Sequence, residues 1–157
     1  MQLFCLAHAG ASAMPYAHWR KRLPRWLEVC PLELPGRGAR EGEPLCQDLP
    51  ALLADLRQAW SRECNGPYLL WGHSLGAMLA FELAQALIGE GHEAPLALFA
   101  SASRAPSRRL QAPRLTARSD GELFASLDGF ARLPRELLAD PLFRRELLPV
   151  LRSDFAL

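Results

Sequence analysis

Residues 68–84 read YLLWGHSLGAMLAFELA. The apolar run through Trp71 has the composition of a buried strand, and the stretch after Ser74 places Leu75, Met78, Leu79, Leu83, Ala86 and Leu87 on one helical face. Between them, Gly72-His73-Ser74-Leu75-Gly76 is a G-x-S-x-G match, which arises by chance in about one chain in twenty of this length. The flanking strand and helix give it meaning. A strand that turns at once into a helix forces the central serine into strained backbone. It also brings neighbouring segments so close that side chains at 72 and 76 would clash. The Ser74 hydroxyl then stands above the sheet as a nucleophile. The helix start supplies unpaired N–H groups and a positive dipole end, which places the Leu75 amide to hold an oxyanion. A serine that merely caps a buried helix would need no second glycine.

Three further apolar runs, QLFCLA at 2–7, LEVCPLEL at 27–34 and LALFAS at 96–101, lack strict alternation, as expected of strands buried on both faces. Helical patterns separate them. In the clearest, Asp48 stands as a cap before Leu49, Leu52, Leu53, Leu56 and Trp60 on one stripe; the helix after Ser74 is expected to stop at Gly89 and Gly91. Strand and helix in alternation predict an α/β fold, a mostly parallel sheet of about four strands covered on both faces. Beyond Ser101 the stretch SRAPSRRLQAPRLTARSD carries five arginines and reads as a long ordered connection. From Ser119 onward three short helices are predicted, starting at Ser119, at Leu133 to Arg135 and at Asp140-Pro141.

Composition bounds these readings. The chain has 157 residues, half of them hydrophobic, enough for one core. Its net charge of +1 gives no field directed at nucleic acid or a membrane surface. No apolar run approaches the roughly 18 residues of a membrane span, and MQLFCLAHAG lacks the basic start of a signal peptide, so a cytoplasmic location is expected. Cys5, Cys30, Cys46 and Cys64 fall at scattered spacings. They read as reduced, mostly buried thiols, with no metal site or cofactor implied.

A second segment complements the serine turn. The strand LFCLA runs into His8-Ala9-Gly10, small residues that let backbone N–H groups face an adjacent pocket. An oxyanion hole takes one donor from the residue after the nucleophile and one from the loop following an earlier strand, which makes Ala9 the second donor. His8 reads as a structural hydrogen-bonding residue rather than a base. His73 is directed away from its neighbour Ser74, and His18 reads as a helix-surface residue.

LFCLAHAG, VCPLELPGRGAR, GPYLLWGHSLGAMLAFELA and LFASASRAP, in that order, resemble the successive signature segments of type II thioesterases. These are stand-alone α/β-hydrolases of nonribosomal peptide and polyketide synthesis. LDGFARLPRELLADPLFRRELLPVLRSDF resembles that family's helical lid. The resemblance implies a partial α/β-hydrolase fold with residues 1–109 as an incomplete core and 110–157 as a truncated lid. It makes Ser74 the nucleophile and gives the oxyanion hole to Ala9 and Leu75. The implied role is editing, the release of wrong or stalled acyl groups from the phosphopantetheine thiol of acyl or peptidyl carrier proteins.

The family's triad runs Ser, Asp, His along the chain, the last two on loops after later strands. Those strands have no counterpart here. Asp120, Asp128, Asp140 and Asp154 fall in the predicted lid helices or their caps and are read as capping and surface acids, while His92 lies in a loop before the last strand. The 157-residue chain on its own is therefore expected to be inactive or nearly so. Two other readings stay open: a non-catalytic carrier-protein-binding module of the same fold, and a fragment of an oxygen-ester serine hydrolase. Arg104, Arg108 and Arg109 are candidate docking residues for an acidic carrier protein, against the plainer reading of a solvated loop. Arg37 and Arg40 are expected to stabilise a loop near the site, without a catalytic role.

Overall fold

The computed structural model describes residues 1–108, 119–127 and 135–157. The apolar runs become four parallel strands, β1 (Gln2–Leu6), β2 (Glu28–Pro31), β3 (Tyr68–His73) and β4 (Ala97–Ser101), in the order β2-β1-β3-β4. Leu3 sits in register with Val29 on one side and Leu69 on the other, and Leu70 pairs with Leu98. β1 lies inside the sheet and every one of its residues is buried, which is why it shows no polar alternation.

Helices α1 (Leu49–Glu63) and α2 (Leu75–Gly89) cover one face. Leu52, Leu56 and Trp60 of α1 and Leu79, Leu83 and Leu87 of α2 close over Phe4, Leu6 and Leu70 to form the main core. α1 begins where Asp48 accepts a hydrogen bond from the Ala51 N–H at 2.9 Å, satisfying one of the donors that a helix start leaves open. α2 ends at Gly89, with Gly91 at a positive φ of 87° letting the chain leave the helix. The opposite face is covered by a 3-10 segment. Tyr16 and Trp19, from a 3-10 helix over Met14–Lys21, pack with Leu23 and Leu27 against Leu3, Cys5 and Val29.

That cover does not extend over β4. Phe99 is 47% exposed and Leu96 just before the strand is 62% exposed, so the expectation of burial on both faces fails for this strand among the described residues. Its composition is that of a buried strand, and composition alone does not say which neighbour covers it.

The C-terminal segment forms α3 (Asp120–Leu127), α4 (Arg135–Ala139) and α5 (Pro141–Asp154). Ser119 and Glu122 cap α3 reciprocally: Ser119 N–H donates to Glu122 Oε2 at 2.8 Å, and Glu122 N–H donates to Ser119 Oγ at 3.4 Å. Asp140 accepts from Leu142 N–H at 2.8 Å and starts α5. The far end of α5 is docked rather than free. Leu151 is fully buried beside Phe124, Ser153 Oγ donates to the Cys46 carbonyl at 2.9 Å, and Leu157 packs against the main core. All four cysteines are free; burial pushes the Cys5 thiol up to about 12 and Cys30 to about 11, so neither ionises near neutrality.

Candidate active site

The strand order reverses beside β1: the chain runs outward to β2, then crosses back to place β3 on the other side. In open parallel sheets the crevice beyond the carboxyl ends of the strands at such a reversal is where ligands bind. Leu6 and Gly72 are in register there, so the loops leaving β1 and β3 emerge side by side. One is His8-Ala9-Gly10; the other carries Ser74.

Ser74 has φ 54° and ψ −113°, one of two non-glycine residues at positive φ among the described residues. Such geometry costs of order 1–3 kcal/mol and persists only where surrounding structure enforces it. The enforcement is visible. Ser74 N–H donates to the Ser101 carbonyl at 2.8 Å, holding the residue to the end of β4, while its own carbonyl accepts from Ala77 N–H at 3.1 Å and starts α2. A Cβ on Gly72 would overlap the backbone carbonyl of Gly76, and one on Gly76 would overlap the backbone carbonyl oxygens of Leu6 and Ala7. Both glycines are needed for the first turn of α2 to lie against the ends of β1 and β3. Ser74 occupies the N-cap position, yet its side chain makes no capping hydrogen bond, so the cap reading is not met. The hydroxyl is left at a helix start whose first turn holds no acidic residue to offset the dipole.

The loop after β1 is a tight turn. Ala11 N–H donates to the His8 carbonyl at 3.1 Å, and Gly10 has φ 78°, the conformation a type II turn asks of its third residue. His8 packs edge-on against His73 with ring centroids 5.6 Å apart, and His73 Nδ1 lies 3.0 Å from Ser101 Oγ. Neither ring hydrogen-bonds Ser74, and among the described residues the His8 ring makes its edge-on contact with His73 in place of the hydrogen bond expected of it. His18 is exposed on its 3-10 helix. His92 packs its ring on Trp60 at 5.1 Å, near Tyr68 at the opposite end of β3. Among the described residues no imidazole or carboxylate hydrogen-bonds the Ser74 hydroxyl.

Burial holds the His8 imidazole below its ordinary pKa of 6.5; the neighbouring His73 adds to the shift and Asp154 opposes it. The folded protein therefore binds a proton there less readily than the unfolded chain. The associated stability is complete above pH 6.5 and is lost as pH falls through the lower, folded value. NMR titration should give a His8 midpoint below 6.5. Replacing His8 by Gln should flatten the loss of denaturation midpoint on acidification; an unchanged slope would remove His8 as its source.

Asp154 is not the surface acid that its place in a predicted lid helix implied. It is 2% exposed and forms a two-pronged pair with Arg37, Nη1 to Oδ2 at 2.6 Å and Nη2 to Oδ1 at 2.7 Å. Oδ2 also accepts from the Gly10 N–H at 2.7 Å. The other acids differ: Asp140 caps α5, Asp120 pairs with Arg152 at 2.5 Å near the surface, and Asp128 lies outside the described residues. Arg40 holds its own loop through Asp55 at 2.6 Å and Glu43 at 2.5 Å. Arg104 is exposed after β4, Arg108 ends a 3-10 turn at Pro106–Arg108, and Arg109 lies outside the described residues. Sequence reasoning missed Asp154, whose partners are 117 and 144 positions away, and Ala102 at φ 52° just after β4. The sole local signal was an acid ending an otherwise apolar helix face in LRSDF.

A parallel sheet with a strained serine turn at its switch point is the architecture of an α/β-hydrolase. The thioesterase-domain family model matches residues 1–157, and the chain belongs to that family. It is 35% identical over 158 residues to the linear gramicidin dehydrogenase LgrE of Brevibacillus parabrevis, aligning over 99% of this chain and 60% of LgrE. The crystal structure of ClbQ, from the colibactin NRPS/PKS pathway, superposes with a TM-score of 0.90 at 32% identity, covering 99% of this chain and 66% of ClbQ. BorB, a type II thioesterase from the borrelidin biosynthetic cluster, gives a TM-score of 0.83 at 36% identity over 99% of this chain and 63% of BorB. The chain thus spans about three fifths of the length of LgrE. No helix among the described residues is long and apolar enough to cross a membrane.

Proposed function

We propose that the protein is an acyl-thioester hydrolase of nonribosomal peptide or polyketide synthesis that clears aberrant acyl groups from phosphopantetheinyl carrier proteins. The observation that carries this is Ser74, held at positive φ by two glycines whose missing side chains let α2 meet the sheet. Ser74 Oγ attacks the thioester carbonyl as a base removes its proton. The C–S bond breaks and the carrier thiol leaves with a proton, and water then cleaves the acyl-serine to free acid and regenerated hydroxyl. The amide of Leu75 opens α2, and Gly10 N–H is committed to Asp154, which leaves the N–H of Ala9 as the donor from the loop after β1. These two amides hold the oxyanion. The dehydrogenase named for LgrE would transfer hydride, a reaction with no use for a strained serine at a helix start.

None of the described residues bonds the Ser74 hydroxyl, and the base of this reading is one that lies outside them. With no base bonded to Ser74, the 157-residue chain on its own should turn over thioester at least about a thousandfold more slowly than an enzyme with a complete triad. The missing base is also the one observation that favours a non-catalytic carrier-binding module. Hydrolysis assays on the full-length gene product separate the two readings. Cleavage of acyl carrier protein and of a free acyl-pantetheine supports the enzyme; binding of carrier protein without cleavage of either supports the module. If Arg108 and Arg109 dock the carrier, charge reversal at both should slow the carrier-bound substrate about tenfold and spare the free thioester. Equal slowing of both substrates would remove the docking role.

A further inference from the structure

We propose that the buried Arg37–Asp154 pair is a positioning device for the oxyanion hole, setting the turn that presents the Ala9 amide from the end of helix α5. The inference rests on the reading of Ala9 as an oxyanion donor. The type II form of a turn differs from type I in the orientation of its central peptide, here the one joining Ala9 to Gly10. Asp154 Oδ2 captures the N–H of that peptide at 2.7 Å. The carboxylate is itself aimed by both Nη atoms of Arg37, at 2.6 and 2.7 Å, with 7% of Arg37 exposed. Helix α5 adds a steric clamp, because a Cβ on Gly10 would lie 2.8 Å from Leu151 Cδ2 and 3.1 Å from Leu147 Cδ1.

Three separate parts of the chain are thus joined through the Asp154 carboxylate: the loop after β1, the PGRG loop after β2 and the last turn of α5. A buried ion pair is a weak device for stability, since apolar groups of similar volume do as well or better. Its two-pronged geometry fixes direction, which is what an oxyanion donor needs: a misplacement of about 1 Å is able to cost on the order of a hundredfold in rate. Arg37 and Asp154 touch no substrate in this reading and act through the Ala9–Gly10 peptide.

The test uses the full-length gene product with Arg37→Met/Asp154→Leu, which removes both charges together and leaves neither buried alone. Turnover number should fall about tenfold to a hundredfold with KM within about twofold, and affinity for a boronic-acid mimic of the tetrahedral state should weaken in parallel. Amide exchange at Gly10 should accelerate. Arg37→Met/Asp154→Asn keeps an uncharged acceptor facing Gly10 and should recover most of the lost turnover. A Leu-containing variant that folds with unchanged turnover and unchanged mimic affinity overturns the proposal. So does one that loses thermal stability while keeping turnover per folded molecule, and so does failure of both variants to fold. If the unmodified protein cleaves no thioester, the proposed function falls, and Gly10 exchange still reads the clamp: unchanged exchange in the Leu variant rejects it.

Discussion

Replacing Ser74 with alanine in the full-length gene product should lower thioester hydrolysis by about 10⁴-fold or more, without loss of fold. The two halves of that result have different origins. In the proposed mechanism activity falls because the hydroxyl that forms the acyl bond is gone. Stability is retained because the Ser74 side chain makes no capping hydrogen bond, and its backbone is held by Ser101 and Ala77 through main-chain atoms alone. The strain at φ 54° survives in the alanine variant and is relieved by glycine, which visits positive φ without a Cβ penalty. Ser74→Gly should therefore be inactive and about 1 kcal/mol more stable than the unmodified protein, after the entropic cost of glycine is set against the relief. Thermal melts and a thioester assay on the same samples check both halves. A glycine variant no more stable than the alanine variant would mean that the turn is not strained.

Gly76→Ala should be strongly destabilising for a single added methyl. Its Cβ would sit 2.6 Å from the Ala7 carbonyl oxygen and closer still to that of Leu6. Both obstacles are backbone at the end of the central strand and cannot rotate aside as a side chain would. Relief requires α2 to back away from β1, opening the core around Leu79, Leu83 and Phe4. A cost of about 3 kcal/mol or more is expected, a large part of a domain's total stability, with a fall in melting temperature of roughly 10 °C. Gly89 is the control within the same helix. Nothing lies within 4 Å of a Cβ there, so Gly89→Ala should stabilise by about 0.5–1 kcal/mol. Equal effects at the two positions would contradict the close packing of α2 on the sheet.

The sheet, the serine turn and most helix starts were legible in the sequence because each is a local pattern. Asp48, Ser119 and Asp140 cap where their chemistry says they should, and G-x-S-x-G between an apolar strand and an apolar helix has few other uses. What escaped is non-local. Nothing near Asp154 shows that its carboxylate meets Arg37 and Gly10, because the contact depends on where the end of α5 lands. The cover of the second sheet face by Tyr16 and Trp19 was likewise hidden, since a 3-10 segment lacks the 3.6-residue periodicity by which helices are recognised. Exposure of Phe99 has the same origin: a strand's composition tells that it suits burial and leaves open what buries it.

The most direct test of the central claim is to trap the acyl-enzyme. Rapid quenching of the full-length gene product with an acylated carrier protein, followed by peptide mass spectrometry, should find the acyl mass on Ser74 within the segment around residues 68–84. Ser74→Ala should carry no adduct and release no acid. Acid released at an undiminished rate by Ser74→Ala, or an acyl group found on another residue, would contradict the account.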